Sequence, residues 1–145
     1  IKGVFAAGNV LRGADMHDIC ALEGRKVAKT ILKKMHTNHD EEANSVYIRG
    51  TYPIRYVVPQ KLFPDRIKGW KTSLWAPGAS VQVSRTLKDV VLEAWSGDSR
   101  IWCRKYRRLI ANNRIPLPIE RFHWDKIDFS KGIILKVLSD ANICT

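Results

Sequence analysis

Cysteine is scarce in this 145-residue chain: Cys20, Cys103 and Cys144 are its three thiols, widely separated and odd in number. They cannot build a disulfide framework, and none stands in a C-x-x-C pair, so reduced thiols in a cytoplasmic setting are expected. Long apolar runs are missing as well. Stretches such as residues 3–7 and 133–135 fall far short of the roughly 20 residues that a membrane span requires, so no membrane partner is expected. No basic segment followed by an apolar stretch and a small-residue cleavage site opens the chain, so no secretory leader is visible. Acidic residues are outnumbered, 14 Asp/Glu against 25 Lys/Arg, for a net charge of +11.

What is present is enough for a folded domain. A hydrophobic content of 45% argues against disorder and is sufficient for one domain with a real core, or for a small domain with an appended piece. The charge is unevenly placed. Residues 1–42 are nearly balanced at +1, whereas residues 43–145 carry +10. A field of that size favours anionic partners in general, although a basic surface that is merely solvated satisfies the same numbers.

Along the chain, residues 2–7, KGVFAA, read as a short buried strand ended by Gly8, because an apolar run bounded by a turn residue fits a strand. Asp15 or Asp18 can cap a following helix over residues 16–35, whose apolar positions Ile19, Leu22, Val27, Ala28, Ile31, Leu32 and Met35 follow helical spacing. Lys33 and Lys34 suit its C-terminal dipole. Residues 36–45 are polar and read as a linker. The pattern then turns to strands. SVYIRGTYPIRYVVPQ is β-branched and aromatic, with Pro53 and Pro59 marking edge or bent strands. Residues 63–78 hold Pro64, Gly69, Pro77 and Gly78 and read as an irregular loop. Residues 79–110 read as successive antiparallel strands, with SGDS at 96–99 as a turn, and IERFHW and GIILKVL are further strand candidates. The expected fold is therefore mainly β, a small antiparallel sandwich or open barrel over residues 46–145, preceded by one long N-terminal helix.

A strand, a glycine turn and a helix place backbone N–H groups and a positive helix end at one spot. The wording GVFAAGNV followed by EGRKVAKTIL is more specific. It resembles the last FAD-contacting strand, turn and helix of the pyridine-nucleotide-disulfide-type flavoprotein oxidoreductases, over about residues 1–35. The resemblance implies that residues 1–35 are the end of an α/β FAD domain. It also implies that Gly8 permits close backbone approach to the cofactor, and that Val10 follows in the turn. Met16, His17 and Asp18 would then lie where the family presents backbone N–H groups to the flavin pyrimidine edge, and Gly24 would let the helix lie close to a strand. Asn9 departs from the pattern, since the family usually has an Asp there that binds the ribityl hydroxyls. An Asn carbonyl still accepts from a hydroxyl, but without charge assistance. No G-x-G-x-x-G occurs in the chain, so on this resemblance the pyrophosphate loop and the NAD(P) domain lie upstream, and the chain is a C-terminal fragment of a longer enzyme that holds no FAD alone. The segment from Ser80 to Phe122 is similar to a β-rich extension found after that helix in some members.

Two other constellations remain. His36, His39 and Asp40 in HTNHD lack a third ligand at recognisable spacing and read as a solvated linker, so no metal is expected. RIWCRKYRR gathers Arg100, Arg104, Lys105, Arg107 and Arg108 around Trp102 and Tyr106. On a strand, Trp102, Arg104, Tyr106 and Arg108 share a face that could stack bases and neutralise phosphates. Alternatively the rings pack inward and the arginines snorkel around them, and the patch meets an acidic protein or redox partner. Nucleic acid is the less favoured partner. The rival to the flavoprotein reading is an autonomous basic β domain that binds nucleic acid or an acidic protein, and a third possibility is a structural domain for oligomer contacts.

Overall fold

The computed structural model describes residues 4–12, 17–36, 45–64 and 78–139. A short helix α1 (Asn9–Arg12) and a long helix α2 (His17–His36) come first. Eight strands follow: β1 (Val46–Gly50), β2 (Ile54–Val58), β3 (Lys61–Leu62), β4 (Ser80–Val83), β5 (Leu87–Ser96), β6 (Ser99–Leu109), β7 (Ile115–Pro116) and β8 (Ile133–Ser139). Two 3₁₀ turns, Ile119–Arg121 and Trp124–Lys126, lie between β7 and β8.

The strands form two open sheets, one of five strands in the order β3-β1-β8-β5-β6 and one of three in the order β2-β4-β7. The expected β-rich architecture with one long helix is what the molecule has. It is open, and it is not wholly antiparallel, because β1 and β8 run parallel with Ile48 opposite Ile133. Such a pairing needs a long crossover, and here nearly the whole β region lies between the two strands. Inward-facing residues of both sheets share one core, including Ile48, Val57, Val81, Leu92, Ala94, Ile133 and Leu135. Leu117 and Ile119, both fully buried, close it beside Phe122.

The longest hairpin follows from its turn. Ser96 pairs with Ser99, leaving Gly97 and Asp98 as a two-residue loop, and Gly97 takes φ +55, a conformation that glycine adopts without strain. Three positions further on, Ala94 faces Trp102 while Trp95 faces Arg100. Ile101 is thus the extra residue of a bulge, which explains why Ile101 and Trp102 are both buried although they are neighbours. Pro53 and Pro59 flank β2, which lies at a sheet edge and carries a register shift between Ile54 and Tyr56. The edge-or-bent expectation holds there. β1, by contrast, lies inside its sheet between β3 and β8.

Two local expectations are corrected. Residues 4–7 form no strand, and Val4 and Phe5 are exposed; no strand among the described residues pairs with them. IERFHW is not a strand either. It forms 3₁₀ turns after Pro118, held by the Trp124 indole N–H donating to the Ile119 carbonyl at 2.9 Å. GIILKVL does form a strand, β8. The loop over residues 63–78 and the linker over residues 36–45 fall largely outside the described residues. No helix among the described residues is long and apolar enough to cross a membrane.

Candidate functional site

The N-terminal corner is built around Gly8. Its φ of +67 is left-handed backbone that favours glycine, and a Cβ there would stand 3.1 Å from the Cys20 Cβ. The Gly8 N–H donates to Glu23 Oε2 at 3.0 Å in a buried bond. Glu23 and Ile19 are both buried and lie four residues apart, on one face of α2. The turn is therefore folded onto the first turns of the helix, and its close approach is to Cys20. Leu22, Leu32 and Met35 of the expected apolar stripe are exposed instead. Helical spacing identified a helix but not which of its apolar residues find a partner.

The sequence-derived site residues fall as follows. Asn9 opens α1, and Val10 beside it is 79% exposed. His17 and Asp18 lie exposed at the start of α2, where Asp18 Oδ1 accepts the Ile19 N–H at 2.9 Å. Met16 and Asp15 lie outside the described residues. Gly8 and the start of α2 thus meet through Cys20 and Glu23. The side-chain oxygen of Asn9 and the first-turn N–H groups of α2 are groups of the kind that meet a polar, hydroxyl-bearing ligand, although the Ile19 N–H is already taken by Asp18. Gly8 itself spends its N–H internally. Glu23 was missed by the sequence reading, and its only signal was a carboxylate in the row Ile19, Glu23, Val27. At Gly24 an added Cβ would meet nothing within 4 Å, so no strand among the described residues lies against the helix there.

The basic strand β6 resolves differently. Trp102 is buried against Phe122, ring centroids 5.7 Å apart, and Phe122 continues to Trp124 at 6.4 Å. Tyr106 is half-buried with its hydroxyl lacking a hydrogen-bond partner. Burial pushes its phenol up from the usual range, and the Arg104 charge pulls it partly back. Arg104 lies over the Tyr106 ring at 5.2 Å. The inward-packed arrangement with snorkelling arginines is therefore the one adopted. On the opposite face, Glu93 is 1% exposed. Its Oε2 accepts from the Trp95 indole N–H at 2.7 Å, and its Oε1 accepts from Arg100 Nη1 at 2.9 Å. That hydrogen bond is the main reason the Arg100 guanidinium is held still higher than its ordinary value.

Among the described residues no three His, Cys, Asp or Glu side chains gather as a metal site. His39, Asp40 and Cys144 lie outside them. Compared with family models, with curated proteins and with solved structures, the chain finds no match.

Proposed function

We propose that the chain is the C-terminal part of an FAD-dependent, NAD(P)H-linked oxidoreductase of the cytoplasm, supplying the last flavin-contacting turn and helix and a basic β accessory domain. The observation that carries this reading is the wording GVFAAGNV…EGRKVAKTIL. Its support from the fold is a left-handed Gly8 turn tied by Glu23 to the helix that follows. In this reading Asn9 binds ribityl hydroxyls, backbone groups at Val10 and from Met16 to Asp18 meet the flavin edge, and Gly8 sets the turn that brings them together. The cofactor supplies the redox chemistry. The pyrophosphate loop and NAD(P) domain belong to upstream sequence. Of the basic run, the accessory domain offers Arg100, Lys105 and Arg107 to an acidic protein or redox partner, while Arg104 and Arg108 alternate onto the other face of the strand.

The test uses the natural polypeptide that contains these residues. Purified intact, it should release FAD on acid precipitation, and Asn9→Leu should lower the flavin-to-protein ratio. A colourless intact polypeptide refutes the proposal, and full occupancy in the variant removes Asn9 from the site. The 145 residues alone should hold no flavin, and a yellow preparation of them would refute the dependence on upstream sequence.

The second reading, an autonomous basic binding module, is favoured by the run of cations on β6, and salt-dependent oligonucleotide binding would support it.

A further inference from the structure

The register of the five-stranded sheet assembles a surface that no single stretch of sequence contains. On its outward face Arg100, Trp95, Ile134 and Arg49 form one row across β6, β5, β8 and β1. The next row on that face is Cys103, Glu93 and Lys136, and the one after it is Lys105, Val91 and Leu138. Arg49, Arg100, Lys105 and Lys136 are exposed. The one carboxylate in these rows, Glu93, is buried and engaged by Arg100 and Trp95, so among the cations of these rows its ion pair is with Arg100. Asp89, the next carboxylate along β5, is exposed, and its left-handed φ of 47 drops it from the ladder. Arg104 and Arg108 stand on the other face, paired with Leu92 and Lys88.

We propose that this outward face, with Arg49, Arg100, Lys105 and Lys136 set around Trp95 and Ile134, is a docking surface for an acidic protein. Half-buried apolar groups at the centre and cations around them follow the anatomy of protein interfaces, in which aromatic and Arg residues anchor and charges at the rim steer. Single-stranded nucleic acid needs open ring faces on which bases stack. Here Lys136 Nζ already sits 5.3 Å over the Trp95 ring. The rings of β6 are no substitute, since Trp102 is buried. The surface is independent of the flavin reading, because none of its residues precedes residue 49.

The test compares two double variants of the full chain that remove the same charge: Lys105→Gln/Lys136→Gln on the outward face and Arg104→Gln/Arg108→Gln on the other. The probe is fluorescein-labelled poly-L-glutamate, followed by anisotropy at low and at moderate salt, with an unlabelled oligothymidylate as competitor. The parent chain should bind, more weakly as salt rises. The outward variant should lose about fivefold or more in affinity and the other variant less than about twofold. Equal losses would show that net charge alone governs binding and would overturn the proposal. Absence of binding by the parent chain would overturn it as well, and so would tighter binding of oligothymidylate, which would name nucleic acid as the partner. Arg49→Gln/Lys105→Gln repeats the test without touching Trp95, should the first pair fail to fold by circular dichroism.

Discussion

Trp102 separates the two readings of the basic strand most sharply. If its ring stacks a base, truncation costs affinity and little stability; if it fills the core, the reverse holds. The ring is 9% exposed and meets Phe122 at 5.7 Å, tilted by 33°. A tryptophan buries on the order of 200 Å², which at about 25 cal/mol per Å² gives an upper bound near 5 kcal/mol. Measured large-to-small changes at such sites fall at about 3–5 kcal/mol, and Trp102→Ala is expected to lie in that range. For a chain of this length each kcal/mol lowers the melting temperature by roughly 2–4 °C, so a drop of about 6–20 °C should follow. Urea denaturation monitored by far-ultraviolet circular dichroism gives the free energy. Trp102→Phe, which keeps an aromatic contact with Phe122, should recover more than half of the loss. Poly-glutamate affinity, measured below the unfolding transition, should be unchanged in both variants. A cost under about 1 kcal/mol for the alanine variant, or a loss of affinity without a loss of stability, would refute the inward placement.

Further expectations concern the turns, the helix and one phenol. Gly50→Ala would drive its Cβ into the Ile54 side chain and should cost about 1–3 kcal/mol by overpacking, read from the urea midpoint. Gly24→Ala meets open space in the middle of α2 and should instead favour the helix by roughly 0.5–1 kcal/mol, seen as slower amide exchange along α2. Glu23→Ala removes the buried acceptor of the Gly8 N–H and should weaken the corner by about 1–3 kcal/mol, with the Gly8 amide exchanging faster while β5 and β6 amides are unaffected. Tyr106, its phenol raised mainly by burial, should ionise above the usual phenol range in an ultraviolet titration, and that late step should be missing from Tyr106→Phe. Because the unfolded chain releases that proton at about pH 10 and the folded chain only above it, stability contributed by the neutral phenol is intact below that pH and falls as pH rises past it. Tyr106→Phe should flatten this alkaline decline.

The candidate corner was legible only in part. Gly8 announced itself as a turn, and the helix from Asp18 onward by its spacing, but the bond from Gly8 to Glu23 joins groups 15 residues apart and has no periodic signature. The outward basic face was less legible still, because Arg49, Lys136 and Lys105 come from β1, β8 and β6 and meet only through pairing.

The local physics of the chain fixed those elements whose causes lie within a few residues. The spacing of Ile19, Val27 and Ile31 gave α2 within one residue at each end, and the Gly97 loop gave the β5–β6 hairpin. Tertiary structure decided the rest. It chose the parallel partnership of β1 with β8 and inserted the bulge at Ile101 that turns Trp102 inward. It also made turns of IERFHW and left residues 4–7 outside any strand. The reason is that alternation of period two states only that a strand has two faces. Which face is buried, and against which distant strand, depends on contacts whose chain-closure cost is met only when the whole core forms.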